Sequence, residues 1–136
     1  MEDCVFCKIA NHVFESSYVY EDEICAAFLD LSQTTYGHTL VVPKKHMTNI
    51  LDADEETLSH LIKVVARLAP KIVKAVGAQG CNVLTNANEA AGQSVMHLHF
   101  HIIPRFNEED GFQMQFANHE GMYDLTELVE KIGSLR

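Results

Sequence analysis

Basic side chains are scarce. The 136-residue chain carries 10 lysines and arginines against 19 aspartates and glutamates, a formal net charge of −9 at pH 7. Broad electrostatic attraction to nucleic acid is thereby excluded, and a phosphate-bearing ligand would have to be held by local donors. Long apolar runs are missing too. The longest helical apolar pattern, Leu58 to Val76, is interrupted by Lys63, Arg67, Lys71 and Lys74, so no membrane span is expected. The start, Met1-Glu2-Asp3, is acidic where a secretion signal is basic, and no apolar core follows it. Cysteines number four, two of them in a CxxC. Without an export signal they read as thiols in a reducing compartment, not a disulfide scaffold, and the expected location is cytoplasmic. Internal repeats and low-complexity segments are absent.

What is present is ordinary in bulk. Hydrophobic content of 47% and charged content of 21% are those of a globular domain, and the length suits one domain with a real core. Ser17–Tyr20 and Ile24–Leu29, separated by Glu21-Asp22-Glu23, read as a hairpin. His38–Val42 reads as a third strand ended by Pro43. Asp52 with Glu55 has the character of a capping box. Leu58, Leu61, Ile62, Val65, Leu68, Ile72, Val73 and Val76 then recur at helical spacing, with Gly77 as the end. Pro70 predicts a kink or a division. Asn82–Asn86 reads as a fourth strand and Asp124–Ile132 as a short terminal helix. Strands paired locally with helices between them give an α+β domain.

The informative stretch is Gln93–Arg105. His97, His99 and His101 occupy every second position, with Met96, Leu98, Phe100, Ile102 and Ile103 around them. Strict alternation predicts a strand, Val95–Ile103, with imidazoles on one face and apolar groups on the other. A core strand gains nothing from a row of imidazoles, so this is a candidate site. A neutral imidazole is a nucleophile near pH 7. Attack on phosphorus needs one nitrogen aimed forward and the other held by a hydrogen bond to a nearby carbonyl. The middle histidine, His99, has neighbours on both sides and is assigned the attack. His101 then contacts a phosphoryl oxygen or the leaving atom, and Ser94 and Gln93 offer a hydroxyl and an amide. Phosphoryl transfer asks for little more than such positioning and charge compensation. The competing chemistry is a metal-dependent hydrolase with the strand histidines as ligands. Against it, His97 and His101 on one strand are roughly 13 Å apart at the backbone.

The segment Gly92-Gln93-Ser94-Val95-Met96-His97-Leu98-His99-Phe100-His101-Ile102-Ile103 is similar to the signature of the histidine triad family of nucleotide-binding hydrolases and transferases. The likeness extends upstream through Tyr20–Glu23, Ala27–Asp30 and Gly37–His46, covering residues 4–105 of a single 1–136 domain, with 106–136 as a carboxyl-terminal extension that the resemblance does not place. The resemblance implies a five-stranded antiparallel sheet with one long and one or more short helices, extended by homodimerisation. It implies a nucleotidyl–histidine intermediate on His99, cleaved by water. It places Asp30 on ribose hydroxyls, and Asn86, Gln93, Ser94, His99 and His101 around the α-phosphate. Phe6, Ile9 and Phe28 border a purine base, with adenine expected, and His38 lies beside the triad. Some relatives bind structural zinc through CxxC plus two histidines; the matching residues here are Cys4, Cys7, His46 and His97. Cys25 and Cys81 read as core, and His12, His60 and His119 as surface.

The expected activity is hydrolysis at the α-phosphate of purine nucleoside phosphoramidates, acyl-adenylates or dinucleoside polyphosphates. A regulatory protein that binds purine nucleotides without turnover is the alternative.

Overall fold

The computed structural model describes residues 3–135; Met1, Glu2 and Arg136 lie outside them. Five antiparallel strands form one sheet in the order β1-β2-β3-β5-β4: β1 Tyr18–Glu21, β2 Cys25–Leu29, β3 Thr39–Pro43, β4 Gly80–Leu84 and β5 Phe100–Arg105. Among the described residues three α-helices accompany it, α1 Val5–Ala10, α2 Glu55–Val76 and α3 Leu125–Gly133, with a short 3-10 turn at Glu89–Ala91. This is the α+β architecture expected, with one long helix and shorter ones.

The core lies on both sides of the sheet. On one side, Leu61, Val64, Val65, Leu68 and Ile72 of α2 pack on Cys25, Ala27, Val41, Phe100 and Ile102. On the other, Phe6 and Ala10 of α1 pack on Ala26, Phe28, Leu40 and Val42. The alternation of β2 and β3 residues between these clusters is the period-two pattern of a strand buried on both faces. Among the described residues no helix is long and apolar enough to cross a membrane.

Three local expectations are corrected. Asp54, not Asp52, caps α2: its carboxylate accepts from the Thr57 N–H at 2.9 Å and the Thr57 hydroxyl at 3.0 Å. Asp52 instead accepts from the N–H groups of Thr48 and Asn49, closing the turn before the helix. Pro70 does not divide α2, which runs unbroken from Glu55 to Val76. It sits on the exposed side, where water can meet the carbonyl that its missing N–H leaves free.

The third correction concerns the histidine strand, which begins at Phe100 and not at Val95. Val41 pairs with Phe100 and Leu40 with His101. Continuing that register would set Leu98 against Pro43, which has no N–H to give. The Leu98 N–H bonds the Met47 carbonyl at 2.7 Å instead, and residues 95–99 run as bends and irregular chain. His97 and His99 therefore precede the sheet, and only His101 lies within it.

Candidate active site

Two groups of side chains meet at the amino-terminal end of β5. The first is a cleft of about 580 Å³ between α1, β2 and the segment before β5. Phe6, Ile9, Phe28, Asp30, Ser94, His99 and His101 all line it. Phe6 is held edge-on to Phe28 at 5.6 Å and to His99 at 4.9 Å, so an apolar wall stands directly beside an imidazole.

The hydrogen-bond network fixes the histidine tautomers. His99 Nδ1–H donates to the His97 carbonyl at 2.6 Å, which leaves a lone pair on Nε2 at the cleft. The Thr34 N–H reaches His38 Nδ1 at 3.3 Å, so His38 carries its proton on Nε2 and donates it to His101 Nδ1 at 2.9 Å. His101 must then bear its own proton on Nε2. Among the described residues that nitrogen is the one buried side-chain nitrogen or oxygen with no hydrogen-bond partner. A buried donor left unsatisfied costs free energy, so it marks where an acceptor is to arrive.

Burial keeps these rings neutral. It is the largest effect on His38, His99 and His101, lowering each below the ordinary imidazole value, His101 to about 4 with help from His99 and His38. The His97 carbonyl and Asp30 oppose the shift at His99. For Asp30, burial opposes ionisation, but the hydroxyl and N–H of Ser32 outweigh it and hold the carboxyl below its usual range. Its Oδ2 lies 3.8 Å from His38 Nε2, too far for a hydrogen bond, so it remains available to a ligand.

His97 faces away from this cleft. Its Nε2–H donates to the Pro43 carbonyl at 2.8 Å, turning the Nδ1 lone pair toward the second group. There Nδ1 lies 3.3 Å from Cys4 Sγ, 3.3 Å from Cys7 Sγ and 3.2 Å from His46 Nδ1, while Cys7 Sγ is 3.2 Å from His46 Nδ1. A tetrahedron with zinc–ligand bonds of about 2.0–2.3 Å has edges of roughly 3.3–3.8 Å, so these four atoms fit one. The Cys4 sulfur also accepts from the Cys7 N–H at 3.3 Å, making it the amino-terminal cap of α1. Burial, then the neighbouring Cys4, raises the Cys7 thiol, and a bound cation would reverse that shift. His97 is thus separated from the other two histidines, and the three do not converge on a single ion.

Three expected residues stand outside the cleft lining: His38, which reaches it through His101, and Gln93 and Asn86. Gln93 is buried, with its oxygen accepting from Asn49 Nδ2 and the Asn88 N–H and its nitrogen donating to the carbonyls of Thr48 and Val95. Both amide ends are committed to holding the loop before the histidines. Asn86 is half-buried with its amide 3.8 Å from where a Cβ on Gly92 would stand. Phe14, Glu15, Ser16, Ser17, Leu31 and Ser32 also line the cleft. His60, expected at the surface, is half-buried and bonded to Asp22 at 2.7 Å.

Known proteins resemble this chain in sequence and in fold. Residues 11–108 match the HIT domain family. The chain is 44% identical over 122 residues to "Protein hit" of Bacillus subtilis, covering 90% of this chain and 84% of that one. It is 39% identical over 108 residues to "Adenosine 5'-monophosphoramidase hnt1" of Schizosaccharomyces pombe, covering 79% and 78%. A crystal structure of a HIT family protein from Bacillus anthracis superposes with a TM-score of 0.92 at 42% identity, covering 98% of this chain and 95% of that one. A "ZN-bound histidine triad family protein" from Mycobacterium smegmatis superposes at 0.77 with 32% identity, covering 99% of each.

Proposed function

This chain belongs to the histidine triad (HIT) family, and from that premise we propose that it is a nucleotide hydrolase working through a nucleotidyl–histidine intermediate. The observation that carries the reading is the pairing of two nitrogens at one cleft: a lone pair on His99 Nε2 beside an unpartnered N–H on His101 Nε2. One is suited to attack phosphorus and the other to hold the charge that develops on its oxygens.

In the first step His99 Nε2 forms a bond to the α-phosphorus as the bond to the leaving nitrogen or oxygen breaks. The departing atom takes a proton from water through the Ser94 hydroxyl, which lies at the cleft, while His101 Nε2–H donates to a phosphoryl oxygen. In the second step water attacks the same phosphorus, the N–P bond breaks, and the proton lost by water leaves to solvent through the Ser94 hydroxyl, restoring neutral His99. His38 keeps the His101 proton on the cleft side throughout. Phe6, Ile9 and Phe28 supply apolar surface for a purine base, and the ionised Asp30 supplies an acceptor for ribose hydroxyls. Asn86 and Gln93, in this reading, support the phosphate-binding segment. Substrates would be adenosine phosphoramidates, acyl-adenylates or dinucleoside polyphosphates, and the S. pombe relative's name favours the first.

Cys4, Cys7, His46 and His97 would hold zinc as a structural ion, fixing α1 and its Phe6 against the histidine segment. All four cysteines are free, which suits a reducing cytoplasm. We also infer a homodimer. β4 is an unpaired edge of uncharged residues, Gly80-Cys81-Asn82-Val83-Leu84, without the charge or proline that protects lone edges.

The test is trapping. Adenosine 5'-phosphoramidate labelled in the adenosine should leave label on His99 after rapid quench, and His99→Ala should lose label and turnover together. Full turnover in His99→Ala would refute the assignment.

A further inference from the structure

Between α1 and β1 the chain turns at a residue held by both ends of its ring. His12 stands at φ +61°, in the left-handed region that few side chains other than those of asparagine and aspartate adopt. Such a conformation persists where its surroundings fix it. Here they do. His12 Nε2 lies 2.7 Å from Glu21 Oε1 of β1, and Nδ1 lies 3.4 Å from Glu15 Oε1. The ring stacks on Tyr18 with centroids 4.6 Å apart. A neutral imidazole has one N–H, whereas carboxylates at both nitrogens require two, so the arrangement is that of the imidazolium.

What this turn holds is one wall of the cleft. Phe14, Glu15, Ser16 and Ser17 all belong to its lining. The N–H groups of Val13 and Phe14 both donate to the Lys8 carbonyl, at 2.7 and 3.1 Å, which folds the stretch back on the end of α1. The Tyr18 hydroxyl donates to the Ile9 carbonyl at 2.8 Å and lies 3.2 Å from the Phe14 carbonyl. The Leu29 N–H donates to the Ser17 carbonyl at 3.0 Å, one residue before Asp30. His12 adds the link from this wall to β1. Glu21 carries it on to the end of β3, its Oε2 accepting from Lys44 Nζ at 2.7 Å.

We propose that His12 is the positioning residue for this wall: as an imidazolium between Glu15 and Glu21, it holds Phe14–Ser17 in place for a bound nucleoside. The inference rests on the nucleotide reading above and adds to it a residue that does not line the cleft.

The charged and titratable groups around the ring are Glu15 from its own loop and Glu21 and Tyr18 from β1. Lys44 stands behind Glu21, and Lys8 of α1 lies 5.1 Å from the Phe14 ring. The Glu21 hydrogen bond, opposed by desolvation and aided by Glu15, raises the imidazole above its ordinary 6.5. A raised folded value makes the clasp complete below about pH 6.5 and loosens it as pH rises through that value. His38, His99, His101 and Glu21 shift downward and Tyr18 shifts upward, so none of them titrates with His12 between pH 6.5 and 9.

Adenosine is the probe, because it carries no phosphate and no group that titrates in that window. Calorimetry on the full chain should give a Kd about 5–10-fold higher at pH 9 than at pH 6.5. His12→Asn, which tolerates the left-handed backbone but carries no charge, should bind at the weaker affinity at both pH values. It should raise KM for adenosine phosphoramidate by the same factor and change kcat by less than about twofold. Hydrogen exchange at Val13 and Phe14, relative to the intrinsic rate, should be slower in wild type than in the variant at pH 6.5 and equal at pH 9. Equal wild-type affinity at the two pH values, or a variant that binds as tightly as wild type at pH 6.5, overturns the proposal. The expected difference in exchange, in a protein that binds no adenosine at either pH, upholds the clasp and overturns the nucleotide reading.

Discussion

His38 Nε2 lies 2.9 Å from His101 Nδ1, and this contact decides which proton His101 presents to the cleft. Without it, His101 could place its proton on either nitrogen, and the donor at the phosphoryl group would be present for only part of the time. His38→Ala should lower kcat about 10–100-fold with a smaller change in KM, as losses of orienting groups behind a functional imidazole do. Steady-state kinetics on an adenosine phosphoramidate decides it. An unchanged kcat would mean that His101 is oriented by something else.

Removing the metal should act on stability first. Cys4, Cys7, His46 and His97 join the α1 cap, the loop at His46 and the segment before β5, so loss of a zinc held there would free three chain segments at once. Metal analysis should find about one zinc per chain, and chelation or Cys7→Ser should lower Tm by several degrees. A metal-free protein with an unaltered Tm would contradict the structural role. Immediate loss of turnover at constant Tm would place the ion in the chemistry instead.

A third prediction concerns Asp22, far from the cleft. Burial opposes its ionisation, but His60, the N–H groups of Ile24 and Cys25 and the Tyr20 hydroxyl outweigh it and hold the carboxyl well below the usual carboxylate range. This network ties α2 to the β1–β2 turn. Because the folded group is more acidic than the unfolded one, the stabilisation is complete above the ordinary carboxylate value near 3.8 and declines as pH falls below it. Asp22→Asn should cost about 1–3 kcal/mol at pH 7. Denaturant titrations at falling pH should show the gap from wild type closing below about pH 4. A gap that stays constant to pH 2 would refute the linkage.

Gly111→Ala should disturb two places together. The new methyl group meets the Thr34 carbonyl, and φ +114° strains any residue but glycine. Because the N–H of the same Thr34 holds His38 Nδ1, the variant should lose both stability, by more than about 1 kcal/mol, and kcat. Loss of stability alone would separate the turn at Gly111 from the histidine relay.

Much of this was legible in the residues because the physics was local. The alternation of His97, His99 and His101 singled out the segment where the cleft and the Cys–His cluster meet, and the apolar spacing of α2 marked the helix that supports the sheet. The hidden features depend on long-range pairing. That Pro43 would stop the ladder at Phe100, turning His97 toward Cys4 and Cys7, follows from a register between residues far apart in the chain. Gln93 is spent on Asn49, Asn88, Thr48 and Val95, contacts that no spacing rule announces. The choice of Asp54 over Asp52 as cap was open, since both stand a few residues before the apolar run. The Thr34–His38–His101 relay could not be read at all, because its first member acts through a backbone N–H.

The central claim is that His99 carries the nucleotide covalently, and stereochemistry at phosphorus tests it without mutation. A substrate made chiral at the α-phosphorus with sulfur, hydrolysed in isotopically labelled water, should yield product with overall retention, the sum of two inversions. Overall inversion would mean that water attacks directly and that no bond to His99 forms.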